Sequence, residues 1–521
     1  MKDAPSAGQD LHRDTSTEHG LAERADDDPG RRSRSDALGA LAVSGSNIAR
    51  FSVQLALLPI LARLIGPQQY GLVALAIPFI LFCNVFSDGG LGVALARLQD
   101  VGREIESTVF WLAGGFALAL ALLFCLLAWP IAHVLHQPAL PPLIMALSPI
   151  MVMSGLTAAA NARIIRNGMF AVFAGGDLFS VVVSSLVAVA AALHGWGAWS
   201  VVAQQLTLWS CKLAWVQLGS RLRVGFVCKP ALVVDLLRFG GHSMGAGLAD
   251  FATRNVDNLI VGAVLGTLQL GYYAMAYQII RVPDYVISGP IYLFVFSRIA
   301  RGSDPRAPSN VAETAVASIR CAASALAAIF GGLAIVAPLA VPVLLGAEWA
   351  GVVGCMQWLS LAGFGFSMFY VFSAILMGAG RSDLQLRLSI AGSVLTIAGV
   401  AATARLGLEA VAMAVSAATL VMMALYAHLL ASHLRVRTLS LLGVLVAPAL
   451  SVAAMFAALR AGIWATSGAT SGAAAVGRLV ILVGIGAAVY GAVLMTIAGR
   501  RVRSDLRLLL TDAPRIAGAE A

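Results

Sequence analysis

Lysine is nearly absent: the chain holds three in 521 residues (Lys2, Lys212 and Lys229), and none follows a glycine. That excludes a P-loop, and with it an ATP-hydrolysing domain in this chain. Charge of either sign is scarce, 12% against 59% hydrophobic residues, and the mean hydropathy is +0.85. A soluble domain of this length has no means of hiding so much apolar surface, so lipid is the main solvent. The six cysteines (Cys83, Cys125, Cys211, Cys228, Cys321 and Cys355) are scattered without C-x-x-C spacing. They imply neither a disulfide framework nor a metal site, and nothing calls for a cofactor. The net charge of +9 does not demand nucleic acid, because the basic residues gather where helices end.

What is present is fourteen apolar stretches between residues 37 and 498. Each is long enough to satisfy its own backbone across about 30 Å of hydrocarbon. The expectation is an all-α polytopic membrane protein of about fourteen transmembrane helices, set in a bacterial inner membrane. Cytoplasmic loops carry the excess of Lys and Arg. With the N-terminus inside, 26 of the 35 fall in inner loops and tails, while the outer side has only Arg63, Arg405, Arg460 and Arg478. Both termini are therefore expected in the cytoplasm.

The expected organisation is a disordered tail (1–36), a six-helix bundle (37–218), a cytoplasmic linker (219–238), a second six-helix bundle (239–435), two further helices (436–499) and a cytoplasmic tail (500–521). Residues 241–245 spell the G-x-S-x-G of hydrolases. Here the motif opens an apolar helix, where small residues serve close packing instead. His133, His136 and His194 fall in outer loops and read as solvated.

The chain repeats itself. Ile65-Gly66-Pro67-Gln68-Gln69-Tyr70-Gly71 joins the first two spans, and Leu265-Gly266-Thr267-Leu268-Gln269-Leu270-Gly271 joins the seventh and eighth. Six helices separate the copies, so the repeat is parallel, and substrate sites in such folds are expected between the halves.

At these residues the chain resembles the polysaccharide transporter family of MOP-superfamily flippases. The likeness rests on Arg63 through Gly71, Asp88-Gly89-Gly90-Leu91-Gly92 with Ala94-Leu95-Ala96-Arg97, Arg254 through Gly262, Gly271-Tyr272-Tyr273, Leu345 through Trp349 and Gly380-Arg381-Ser382-Asp383. The resemblance covers about 37–435. It implies two parallel six-helix bundles of MATE/MOP type plus two C-terminal helices. It further implies a flippase of undecaprenyl-diphosphate-linked oligosaccharides for O-antigen, capsule or exopolysaccharide, with no enzymatic activity. Lipid-linked oligosaccharide, membrane lipids and a polysaccharide polymerase machinery are the implied partners.

Charges at bilayer depth are functional candidates, since each costs several kcal/mol unless paired or wet. The basic set is Arg50, Lys212, Arg254 and Arg281; the acids are Asp177, Asp250, Asp257 and Asp284. Arginine forks suit diphosphate, and tyrosine faces suit sugars. The expected substrate-binding residues are therefore Arg50, Lys212, Arg254, Arg281, Tyr273, Tyr277 and Tyr285, with Asp250, Asp257 and Asp284 as ion-coupling candidates. Arg50 and Lys212 have no acid within four residues on their own helices. Asp250 with Arg254, and Arg281 with Asp284, also read as pairs that neutralise each other, and the tyrosine stripe as helix packing. Trp129, Trp196, Trp199, Trp349 and Trp464 read as interfacial anchors. The alternatives are a MATE-like cation-coupled small-molecule exporter, a lipid II flippase, and a membrane glycosyltransferase or polymerase, which needs larger polar outer loops than these.

Overall fold

A computed structural model of the protein describes residues 29–86, 90–96, 98, 101–229, 234–302, 311–434, 436–465 and 472–511. Eleven helices among these are long and apolar enough to cross a membrane. Pro67–Phe86 and Ala198–Ser220 are spanning-length helices beyond those eleven, and the run from Val234 to Pro283 contains two helices joined at Gly266. Fourteen helices result.

In chain order they are α1 (Pro29–Ile65), α2 (Pro67–Phe86), α3 (Arg103–Val134), α4 (Pro149–Arg166), α5 (Phe170–Leu193) and α6 (Ala198–Ser220). The second unit is α7 (234–265), α8 (267–302), α9 (Val311–Leu344), α10 (Val352–Gly378), α11 (Ser382–Thr403) and α12 (Leu408–Leu434). Then come α13 (Val446–Ala465) and α14 (Gly472–Thr511). Helix α1 begins ahead of the expected boundary at residue 36. Pro29 suits a first helical position, where its missing N–H loses no bond, and the helix then runs on through Pro59 to Ile65. Residues 241–245 lie inside α7, which removes the strand-to-helix turn a nucleophile elbow needs.

The repeated connectors fold alike. Gly66 has φ 76° and Gly266 φ 83°, a region that glycine enters without penalty. Each thus reverses the chain between two helices with no loop. The copies then meet, because α2 packs along α7 and α8. A Cβ on Gly71 would overlap the Thr267 carbonyl, and one on Gly271 the Pro67 carbonyl. The two backbones cross where only glycine fits.

More contacts close that same end. The Arg63 guanidinium donates to the carbonyl of Leu344 at 2.8 Å and to that of Val343, the last carbonyls of α9. A cation is well placed there against the negative helix end. The Trp349 indole N–H donates to the Ala62 carbonyl at 3.0 Å, and its ring meets Tyr70 edge-on at 5.6 Å. Trp349 is therefore no interfacial anchor. It is 1% exposed and packed between the halves, whereas Trp129, Trp196, Trp199 and Trp464 are 64, 56, 43 and 84% exposed.

Away from that end most packing is within each half, although the short helix Leu91–Ala96 of the first half still touches the 234–283 run of the second. Helix α1 packs along α5, and the later part of α8 along α10. Helix α14 belongs to the second unit, held to α9 by Arg320 on Asp505 at 2.7 Å and to α8 by Arg298, which donates to the Leu508 carbonyl at 2.7 Å. In the first unit Glu106 on α3 receives Arg163 and Arg166 of α4 at 3.0 and 2.6 Å. Residues 221–229, which leave α6, run back over α3: Ser107 Oγ and Thr108 Oγ1 accept the backbone N–H groups of Gly225 and Lys229.

Candidate functional site

Two clusters of polar side chains lie at spanning depth, one in each half. In the first, α5 supplies Asp177 between Arg50 of α1 and Lys212 of α6. Its carboxylate stands 2.8 Å from Lys212 Nζ and 3.5 Å from Arg50 Nη1. Phe173, one turn before Asp177, and Trp209, nearly one turn before Lys212, present their rings to the ammonium at 5.7 and 5.6 Å. The spacings of four and three residues put each pair on one helix face.

Two cations share one carboxylate, so the cluster carries a net charge of +1. The Arg50 side chain is 39% exposed and that of Lys212 21%, against 14% for Asp177. The carboxylate sits deeper and the cations face outward. Arg50 and Lys212 thus do have an acid, from a third helix, as intramembrane charges commonly do. No spacing along a single helix shows such a partner.

In the second half Asp257 of α7 is buried. It accepts the Tyr273 hydroxyl at 3.2 Å and the Asn258 backbone N–H at 2.8 Å. Tyr273 is 0% exposed, so it braces Asp257 and presents no surface to a ligand. Its ring meets Tyr277 edge-on at 4.8 Å, and the Arg281 guanidinium lies 5.5 Å from the Tyr277 ring. Just beyond, Pro283 is followed by a π-helical turn, Asp284–Ser288, the irregularity that a mid-helix proline produces. The side chains of Asp250, Arg254, Asp284 and Tyr285 lie outside the described residues, so their pairings stay expectations. Two buried oxygens, Asn258 Oδ1 and Ser288 Oγ, have no hydrogen-bond partner.

Asp257, Tyr277 and Arg281 open onto a cavity of about 610 Å³. Its other walls are α10 (Phe366, Phe369, Tyr370), α11 (Gln385, Ser389, Ser393, Thr396) and α12 (Thr419, Tyr426). No described residue of α1–α6 lines it, so this cavity lies within the second half rather than between the halves. Sequence reading missed the α11 face. The signal was there in polar residues spaced 4, 4 and 3 along one face of the helix.

No group of three or more His, Cys, Asp or Glu among the described residues is arranged to hold a metal.

Comparison with known proteins agrees with this architecture. The polysaccharide biosynthesis protein family matches residues 60–354. The chain is 28% identical over 308 residues to the succinoglycan biosynthesis transport protein ExoT of Rhizobium meliloti (strain 1021), covering 58% of this chain and 61% of that one. It is 24% identical over 334 residues to the lipopolysaccharide biosynthesis protein WzxC of Escherichia coli (strain K12), covering 64% and 67%. The match thus spans about six tenths of the first relative's length. Among solved structures, the lipid II flippase MurJ in an inward closed conformation superposes with a TM-score of 0.67 at 14% identity, over 90% of this chain and 100% of MurJ. An inward-facing MATE transporter of the MOP superfamily gives 0.55 at 16% identity, over 74% and 98%. At these identities the likeness is one of fold. A family match over more than half of the chain, on a fourteen-helix fold of this kind, makes the protein a member of the polysaccharide biosynthesis protein family.

Proposed function

We propose that the protein is a flippase that carries undecaprenyl-diphosphate-linked oligosaccharide units across the inner membrane by alternating access. Both termini are cytoplasmic in this reading, and the product serves polymerisation into O-antigen, capsule or exopolysaccharide at the outer leaflet. The observation that carries it is the Arg50–Asp177–Lys212 cluster, which keeps a positive excess on a membrane-spanning wall. A diphosphate needs such an excess to offset its loss of water. Family membership and the relatives' names support the substrate class.

With cytoplasmic termini, the connectors at Gly66 and Gly266 face the periplasm. The described state is then shut outside, and the reaction proceeds as the halves part there and close on the inner side. The membrane potential assists each outward-moving negative charge by about 2.3 kcal/mol per 100 mV. Asp257, buried beside the orphan oxygen of Asn258, is the described candidate for coupling to a cation. The head group leaves covalently unchanged, which separates this function from that of a glycosyltransferase.

Deleting the gene and analysing surface polymer together with the undecaprenyl-linked pool tests the reading. Loss of polymer with repeat units accumulating on the cytoplasmic leaflet is the expected result. Unchanged polymer and pool would overturn it and put a MATE-like cation-coupled exporter ahead.

A further inference from the structure

The cavity inside the second half has a chemistry that the first-half cluster lacks. Among its described lining residues the charged groups are one of each sign, Arg281 and Asp257. What remains is hydroxyls, one amide, aromatic faces and aliphatic side chains such as Leu386, Ile390, Val394 and Met422. Tyr426 donates to Gln385 Oε1 at 3.3 Å, and Gln385 Nε2 donates to Ser389 Oγ at 3.2 Å. Helices α12 and α11 are thus joined by a hydrogen-bond chain that runs along the cavity wall. Behind Tyr426 a stack of rings holds its plane: Phe369 lies 5.2 Å away and Phe372 5.9 Å.

Three occupants can be weighed. A diphosphate is disfavoured, since Asp257 offsets the one cation among the described lining residues. A polyprenyl tail is disfavoured as well. It would leave Gln385, Ser389 and Tyr426 with only their bonds to one another and use none of their remaining donors and acceptors. An uncharged pyranose meets every wall, with alternating hydroxyls for the amide and serines and an apolar ring face for the tyrosines. The volume of about 610 Å³ is in the range of small-ligand pockets, about 300–1,000 Å³.

We propose that this cavity is a sugar subsite, which takes one or two uncharged pyranose residues of the head group while the diphosphate stays with the first-half cluster. The inference rests on the flippase reading and adds to it a division of the head group between the halves. It also gives the polar face of α11 a use beyond the Gln385–Tyr426 bond.

The test is binding of free sugars to the purified full-length protein in detergent, read as saturation-transfer NMR from protein to ligand. The probes are a panel of uncharged disaccharides (maltose, cellobiose, lactose, N,N′-diacetylchitobiose) with inorganic pyrophosphate as competitor. The expected result is transfer to at least one disaccharide that pyrophosphate does not displace. Transfer should fall fivefold or more in the Gln385→Ala/Ser389→Ala double variant and persist in Arg50→Ala. Thr396→Val keeps the cavity's shape while deleting one hydroxyl, and it should weaken transfer by about threefold should the double variant not fold. No transfer to any disaccharide, displacement by pyrophosphate, or transfer that survives these substitutions would overturn the subsite. Failure here is separable from failure of the flippase reading. A gene deletion that accumulates lipid-linked units alongside absent sugar binding removes the subsite alone, whereas a silent deletion removes the parent reading.

Discussion

The two halves of the chain share a repeat and a set of connectors but not a chemistry. Around Asp177 two cations compete for one acid, and the excess charge faces outward. Around Asp257 one acid is bound by Tyr273 and the neighbouring backbone, Arg281 leans on Tyr277, and the open space beside them mixes hydroxyls with aromatic and aliphatic side chains. A duplicated fold needs both units to share the helix geometry that lets them part and close. It does not need both to bind the same part of a substrate, and a head group with a charged end and a sugar end gives each half its own task.

The largest effect is expected from breaking the charge excess. Arg50→Ala leaves the first cluster neutral and should reduce export at least tenfold. Adding Asp177→Asn returns the cluster to +1 through Lys212, and should restore a clear part of export. Surface polymer per membrane-resident protein checks both, and an unrestored double variant would show that arginine geometry, not net charge, is required. Next in size is the contact that the two units share. Gly71→Val or Gly271→Val places a side chain into a carbonyl of the opposite unit, so the shut end should not close. A cysteine pair at positions 63 and 344, in a variant whose six native cysteines are replaced by serine, should then cross-link several-fold less than in the same variant without the valine.

Trp349 and Trp464 sharpen the contrast between seam and lipid face. Trp349→Ala empties a buried site between the halves, for which losses of about 3–5 kcal/mol are typical, while Trp464→Ala at an 84% exposed position should be within about 0.5 kcal/mol of wild type. Thermal unfolding in one detergent compares them. Tyr273→Phe falls between these two. It removes one donor from Asp257 and should lower stability by about 1.5–3 kcal/mol, the usual worth of a hydrogen bond to a charged group. Surface expression should persist.

The helices were legible because backbone satisfaction in lipid forces long apolar runs, and all fourteen stand where such runs occur. The repeat was legible because Gly66 and Gly266 reverse the chain at the same place in each unit. The fact that Gly71 and Gly271 touch each other was not legible, since nothing local says that two copies of a motif meet. The counter-ion of Arg50 was hidden for the same reason: Asp177 is 127 residues away and becomes a neighbour only through the packing of α1 on α5. Tyr273 and Tyr277 read as one stripe, yet packing separates them into a buried brace and a cavity wall. The polar face of α11 is the reverse case, a pattern plain in the sequence whose meaning depends on the cavity it borders.

The central claim, that a cationic wall moves a lipid-linked diphosphate, is tested most directly by reconstitution. Proteoliposomes containing only this protein and an undecaprenyl-diphosphate-linked oligosaccharide would be probed with a membrane-impermeant sugar oxidant, using wild type and Arg50→Ala/Lys212→Ala. The account predicts that wild type exposes the inner-leaflet pool to the oxidant many-fold faster than protein-free vesicles do, and that the double variant does not. Equal rates in wild-type and protein-free vesicles, or full activity without the two cations, would contradict it.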